Sequence, residues 1–297
     1  MDNLIIQKDF ATSALIQALK EGPFGVPALT LIAAAIVVPI CQYRTMYGIS
    51  VGYGGSVAFM AHVLQRVFDE TTPTALSQTL IWAAIFYGLR LSTHLLVRDF
   101  TGWKPQNKDP NRKDPSRLAR IPFSIMLSLL YSFMTSPLLY FLRNPPPKGS
   151  LLEKISQTGV VLAWVGAVME AIADAHKFWV KAHHRSTRAT SRTSGNKKKD
   201  SPTFCGPSGG VYRLTRHPNY TGEILFWLGL YIAGLPAIGG SYLGYVYSTL
   251  GHFGIVFIMV GATKRLEERH EENYGGQRAY EEWKAKVPAP LIPLIKG

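Results

Sequence analysis

Residues 224–263 read ILFWLGLYIAGLPAIGGSYLGYVYSTLGHFGIVFIMVGAT and contain no lysine, arginine, aspartate or glutamate. A helix needs about 20 largely apolar residues to cross the hydrocarbon core of a bilayer, because its backbone groups find no partners in lipid. This stretch is long enough for two such helices, with a break near residues 235–240, where a proline and two glycines occur. It therefore predicts two membrane spans, at about 221–239 and 242–262.

Five further segments extend this pattern over most of the chain. Residues 22–43, 45–65, 71–89 and 121–142 are also free of those four residue types, and 155–169 is a shorter run of the same kind. Together the segments predict seven spans, at about 24–43, 46–66, 76–97, 121–142, 153–178, 221–239 and 242–262. The expected fold class is all-α: a polytopic membrane helical bundle of about seven transmembrane helices with a cytosolic C-terminal tail.

The charged residues gather in three segments, 98–120, 177–200 and 263–297, and the whole chain has a net charge of +13. With seven spans, the loops 98–120 and 179–216 and the tail 263–297 fall on one side of the membrane. That side holds most of the lysines and arginines, so the positive-inside rule places it in the cytosol. The expected membrane is the endoplasmic reticulum in a eukaryote or the inner membrane in a bacterium.

The polar segments predict partners as well as topology. Residues 1–23 are expected to include an amphipathic helix on the bilayer surface, and residues 24–262 to form the membrane domain. Residues 185–200 are typical of a flexible, solvated insert. The basic loops suit membrane lipid head groups, and no nucleic acid is predicted, because the loops flank spans instead of sharing a soluble domain. Cys41 and Cys205 have neither disulfide-framework nor zinc spacing, and no metal site is predicted.

Four charged residues stand out inside the predicted spans: Arg90, Glu170, Asp174 and Glu223, with Lys177 three residues after Asp174. Charges in the bilayer are costly and usually mark function. Residues near helix ends can instead extend their side chains to the interface, and this alternative suits Asp174. Arg90 and Glu170 are about two turns from the nearest span end, which favours a site. All four lie towards the cytosolic side, where a cavity is expected.

The densest polar cluster is residues 210–223, GVYRLTRHPNYTGE, directly before a predicted span. Helix N-termini attract anions through their free N–H groups, and Arg213 and Arg216 add charge and bidentate hydrogen bonding. The cluster is therefore predicted to bind a phosphate- or carboxylate-bearing ligand. The alternative is a basic juxtamembrane cap with a structural turn. Because no nucleotide-binding Gly-rich motif occurs, a nucleotide-like cofactor would have to be held by the membrane body.

These residues carry a resemblance to a known family. The sequence resembles the poorly characterised membrane proteins related to the steroid 5-alpha-reductase C-terminal domain, within a wider group with sterol reductases and isoprenylcysteine carboxyl methyltransferases. The resemblance covers most of the chain from about residue 45. It depends on residues 87–91 (YGLRL), 170–177 (EAIADAHK) and 216–223 (RHPNYTGE), and on the Glu267-Glu268, Tyr274-Gly275, Tyr280 and Val287-Pro288 elements of the tail.

The resemblance implies a multi-helix cavity, open to the cytosol, in which NADPH reduces a carbon–carbon double bond of a hydrophobic substrate. Tyr87 and Arg90 reproduce a tyrosine–arginine spacing of steroid 5-alpha reductases, so Tyr87 is the predicted catalytic acid. A tyrosine hydroxyl in a dry pocket can donate to a developing enolate oxygen. The predicted cofactor-binding residues, which include Arg213 from the cluster itself, are Arg90, Asp174, Arg213, Arg216, His217, Asn219, Tyr220 and Glu223.

One difference from those reductases changes the expected substrate. They carry a carboxylate beside the tyrosine in the second span, whereas residues 45–65 contain none. The expected substrate is therefore a lipid-like unsaturated molecule, and its identity and the oligomeric state are not predicted. Two alternatives stay open: a methyltransferase that holds S-adenosylmethionine with the Arg-His-Pro and Glu-Glu elements, and a non-enzymatic lipid-binding protein.

Overall fold

The computed structural model describes residues 12–69, 74–101, 115–192 and 203–292, and these residues contain helices and loops but no β-strand. The helices are α1 (residues 12–20), α2 (Gly25–Tyr43), α3 (Thr45–Gly48), α4 (Val51–Phe68), α5 (Ala75–Phe100), α6 (Arg117–Arg143), α7 (Leu151–Arg192), α8 (Pro218–Gly234), α9 (Tyr242–Tyr274) and α10 (Arg278–Lys286). Short 3-10 turns occur at Gly210–Arg213 and Leu235–Ala237. The all-α fold class is confirmed.

Five of the described helices are long and apolar enough to cross a membrane: α2, α5, α6, α7 over Leu151–His184, and α9. The protein is therefore a polytopic helical membrane protein. The other two predicted spans, 46–66 and 221–239, correspond to α4 with 18 residues and α8 with 17. At 1.5 Å per residue these helices are about 26 Å long, short of the roughly 30 Å of a hydrocarbon core.

Two helices extend well beyond the predicted boundaries. α7 continues to Arg192, so residues 179–192 are helical where a loop was predicted. The prediction of a flexible insert is therefore wrong for residues 185–192. The remainder of that insert, residues 193–200, lies outside the described residues, as do residues 102–114 of the predicted first loop. α9 continues to Tyr274, past the predicted span end at residue 262. Hydropathy marks where a chain stops being apolar, whereas charged helix formers continue a helix into water.

The chain divides into two compact units. The first comprises Met1–Trp164 and Phe226–Ile255, and the second comprises Val165–Leu225 and Val256–Gly297. In the first unit, the hydroxyl oxygens of Thr30 in α2 and Ser132 in α6 are 2.7 Å apart and form a hydrogen bond. Arg143, at the end of α6, donates to the backbone carbonyls of Ala18, Leu19, Glu21 and Gly22. These bonds satisfy carbonyls that the end of α1 leaves without helical partners.

Close backbone approach between α7 and α8 yields a stability prediction. A methyl group on Gly229 would overlap the backbone nitrogen of Ala163, and one on Gly159 would overlap that of Ala233. Small residues of this kind let membrane helices pack closely. Gly229→Ala is therefore expected to destabilise the protein by about 1–3 kcal/mol, measured as a lower midpoint of thermal unfolding in detergent.

Gly240→Ala is the matched control, because a methyl group there meets nothing within 4 Å. A Gly229→Ala protein that unfolds at the wild-type temperature would show that the two helices do not need this close approach.

Candidate functional site

Tyr87 lies in α5 within the first unit and is fully buried. Its ring stacks on Phe226 with a centroid distance of 3.9 Å and an interplanar angle of 4°. The guanidinium carbon of Arg90 lies 5.6 Å from the centre of the Tyr87 ring. The side chain is thus fixed by an aromatic ring and lies beside a cation, in surroundings that exclude water.

A chain of hydrogen bonds reaches the Tyr87 hydroxyl. The indole Nε1 of Trp227 donates to the hydroxyl of Tyr53 at 2.6 Å, and the hydroxyls of Tyr53 and Tyr87 are 3.0 Å apart. An indole N–H can only donate, so the Tyr53 oxygen is the acceptor in the first bond. The hydrogen of Tyr53 can then be given to the Tyr87 oxygen, which places the two hydroxyls in one hydrogen-bonded network.

Sequence reasoning did not identify Tyr53 as a site residue. It lies in α4, within the segment where the resemblance leads one to expect a carboxylate, and it is 7% exposed. The available signal was weak, because Tyr53 is one of several polar residues of α4, with Ser56, His62, Gln65 and Arg66. A tyrosine of this segment thus lies beside Tyr87.

Arg216, in the second unit, is 6% exposed, and each of its three guanidinium nitrogens contacts a protein group. Its Nε and Nη2 atoms contact Glu267 Oε2 at 2.8 and 2.6 Å. Its Nη1 donates to the backbone carbonyls of Val287 and Pro288 at 2.8 and 2.6 Å. The guanidinium therefore connects the predicted motif to helix α9 and to the segment that follows α10.

Residues 287–291, which we call the C-terminal strap, also pair with the motif through the backbone. The N–H groups of Arg216 and His217 donate to the carbonyls of Ala289 and Pro290, each at 3.0 Å. The Thr221 hydroxyl donates to the carbonyl of Leu291 at 2.5 Å. The strap thus fixes the backbone that leads into α8.

His217 is buried and its Nε2 lies 2.6 Å from Glu267 Oε1. Burial lowers the pKa of His217, and the hydrogen bond to Glu267 opposes this effect. The Tyr220 ring stacks on the His217 ring at a centroid distance of 5.8 Å. The centroid of the His270 ring lies 5.7 Å from that of His217, with the two planes tilted by 34°. Two imidazoles and one carboxylate are therefore gathered in this unit.

Asn219 carries a buried polar atom that the fold does not use. Its Oδ1 has no hydrogen-bond partner among the residues that the structure describes, although it lies in the first turn of α8. An unsatisfied buried acceptor is costly, and a ligand that donates a hydrogen bond would remove the cost. In the same motif Arg213 is exposed, whereas Asp174 and Glu223 are buried.

Tyr212 anchors the start of the motif. Its hydroxyl donates to the carbonyl of Ala173 in α7 at 3.1 Å, and burial raises the pKa of its phenol, which therefore stays protonated. The surrounding core of the second unit is aromatic, formed by Tyr212, Tyr280 and Trp283 with Phe204 and Tyr274 at its edge. The turn before α8 is thus held rigid.

The predicted site residues divide between the two units. Tyr87 and Arg90 belong to the first unit, and the other predicted residues belong to the second. Sequence reasoning missed His270 of the second unit. Glu267 was predicted only as part of the Glu-Glu element that would hold S-adenosylmethionine in the methyltransferase alternative, and no local pattern showed that it contacts a motif about 50 residues earlier.

The family comparison agrees with this description of a membrane protein. A family model described as "Protein of unknown function (DUF1295)" matches residues 42–287, and the chain belongs to this family. Comparisons with curated proteins and with solved structures found no match. Family and helices together define an integral multi-pass membrane protein.

Proposed function

We propose that the protein is an NADPH-dependent membrane reductase that acts on a carbon–carbon double bond conjugated to a carbonyl in a hydrophobic substrate. The observation that carries this proposal is the hydrogen-bonded chain from Trp227 through Tyr53 to Tyr87. The resemblance to the steroid 5-alpha-reductase group supports it. An acceptor oxygen on the substrate is the partner that this polarised chain suits best.

In the proposed reaction, Tyr87 hydrogen-bonds to the substrate carbonyl and stabilises the negative charge that develops on its oxygen. NADPH, when bound, would supply the hydride for the far carbon of the double bond and would leave as NADP⁺. A proton from solvent would complete the reduction at the other alkene carbon, which restores the carbonyl. Trp227 and Tyr53 donate hydrogen bonds along the chain to Tyr87, which lowers the free energy of the negative charge on the carbonyl oxygen.

The second unit is proposed to hold the cofactor. The Asn219 Oδ1 atom offers an acceptor to a carboxamide or ribose hydroxyl, Tyr220 offers a ring face, and the exposed Arg213 offers charge to a phosphate. The buried His217 adds a further polar contact. These groups fit a nucleotide-type cofactor, and Asp174 and Glu223 remain predicted members of the same binding set, whereas Arg90 belongs to the first unit.

One observation favours an S-adenosylmethionine-dependent methyltransferase as the second candidate. Every nitrogen of the Arg216 guanidinium already contacts a protein group, so these contacts compete with binding of a phosphate. S-adenosylmethionine has no phosphate and would not need a contact from Arg216. Its amino group could instead donate to Asn219.

Binding of the two cofactors to detergent-purified protein separates the candidates. We expect NADPH to bind with a 1:1 stoichiometry by calorimetry and S-adenosylhomocysteine not to bind. The reverse result would replace the reductase with the methyltransferase. Absence of binding by either molecule would leave the non-enzymatic lipid-binding function.

Asn219→Ala is expected to weaken NADPH binding by about tenfold, because one hydrogen bond to a buried group contributes on the order of 1–1.5 kcal/mol. The same calorimetric titration measures the change. Asn273→Ala is the control, since its side chain donates to the Arg269 carbonyl on the exposed side of α9. Equal affinity of the Asn219→Ala and wild-type proteins would remove Asn219 from the binding site.

A further inference from the structure

We propose that His217, Glu267 and His270 form a binding site for a divalent transition-metal ion of the zinc class. One potential ligand atom from each side chain lies within 4.8 Å of the other two. All three residues belong to the second unit. The proposal shares His217 with the proposed cofactor site, and metal binding to the protein without cofactor tests it separately from the reductase assignment.

The donor set is the first support. Two imidazoles and one carboxylate are a common set in zinc sites that have three protein ligands and an open fourth position. Glu267 and His270 are three residues apart on α9, a spacing that places a carboxylate and an imidazole on one helix face. Helical bundles use this Glu-x-x-His spacing to direct both side chains to one ion.

The arrangement of Glu267 is the second support. Its Oε2 is held by Arg216, whereas its Oε1 faces His217 at 2.6 Å. Arg216 is itself fixed by the carbonyls of Val287 and Pro288. This is an outer shell of hydrogen bonds that orients a ligand, and a bound ion would replace the hydrogen between Glu267 and His217.

His270 supplies an independent observation. Its Nδ1 is buried and has no hydrogen-bond partner within residues 12–69, 74–101, 115–192 and 203–292. A buried ring nitrogen without a partner costs free energy, and a metal ion would use its lone pair. The His270 imidazole thus lies near the Glu267–His217 pair, and its Nδ1 has no hydrogen-bond partner among the described residues.

The nearby positive charge sets the expected strength of the site. Lys177 acts electrostatically on both His217 and His270, and Lys181 acts on His270. Together with Arg216, these cations repel the proposed metal ion and weaken its binding. They also favour an anion such as hydroxide at the open coordination position of the metal. We therefore expect weaker binding than at a structural zinc site.

Cobalt(II) titration of the EDTA-treated, detergent-purified full chain tests the site. Wild-type protein is expected to bind one equivalent, detected by visible absorption bands of tetrahedral cobalt that added zinc removes. His270→Gln is expected to lower the affinity at least tenfold. Its thermal unfolding without metal should equal that of the wild type, which separates a lost ligand from a lost fold.

His252→Gln provides the matched control. His252 lies on the same helix, and its Nδ1 is likewise buried and without a hydrogen-bond partner among the described residues, but it belongs to no such ligand group there. We expect this variant to bind cobalt like the wild type. The proposal is overturned if wild-type protein gives no cobalt bands, if His270→Gln binds as tightly as the wild type, or if His252→Gln loses binding equally.

Discussion

Replacement of Arg216 by alanine is expected to lower the free energy of unfolding by about 3 kcal/mol. The guanidinium bonds to Glu267 and to the carbonyls of Val287 and Pro288 would all be lost. Glu267 is 21% exposed, so water reaches it in part, and we expect the lower end of the 3–5 kcal/mol range typical of a broken buried ion pair. The midpoint of thermal unfolding in detergent measures the loss.

Two variants make this result specific. Arg278→Ala removes an arginine of the same unit whose ion pair with Glu282 is exposed, and such pairs contribute little. Arg216→Lys keeps the charge but cannot supply the planar fork that reaches both Glu267 and the strap. We expect no change for Arg278→Ala and an intermediate loss for Arg216→Lys. Wild-type stability of Arg216→Ala would show that the strap does not depend on this side chain.

Tyr87→Phe is expected to reduce the turnover number by about 10²–10⁴-fold while leaving the affinity for NADPH unchanged. The substitution removes one oxygen from a fully buried ring and retains its stacking on Phe226. The lost group is the proposed donor to the substrate carbonyl, so the effect should fall on the chemical step. NADPH oxidation in the presence of a panel of hydrophobic α,β-unsaturated ketones measures it.

Other tyrosines of the first unit provide the comparison. Tyr231→Phe should not alter turnover, because its hydroxyl bonds to Thr249 at 2.9 Å and has no proposed role in the reaction. Tyr53→Phe should have a smaller effect than Tyr87→Phe, since it interrupts the chain but leaves the terminal donor. If Tyr87→Phe retains the wild-type rate on a ketone that the protein reduces, then Tyr87 is not the acid.

The fold could be predicted from the sequence because membrane helices have a local signature. Each apolar segment became a helix, from α2 near the N-terminus to α9. The boundaries were less predictable. α7 and α9 continue into charged residues that hydropathy treats as loop or tail, while α8 begins at Pro218, a residue suited to a first helical turn.

The candidate site could be predicted only as far as its residues are close in the sequence. The cluster at 210–223 was visible because arginine, histidine and asparagine adjoin a span. The contacts of Arg216 with Glu267 and Val287 join residues separated by 51 and 71 positions, and no spacing rule predicts them. Tyr53 was missed for a related reason, since a hydroxyl pair between helices depends on how α4 and α5 face each other.

The strap has a consequence for how the protein is made. Chain synthesis proceeds from the N-terminus, so Arg216 leaves the ribosome well before Val287, its partner 71 residues later. Until the strap emerges, the Arg216 guanidinium lacks two of its carbonyl acceptors and the backbone of His217 lacks Pro290. The apolar helices can enter the bilayer during this interval, but the contacts between residues 216–217 and the strap form only afterwards. Membrane insertion and completion of these contacts are therefore separate steps for the nascent chain.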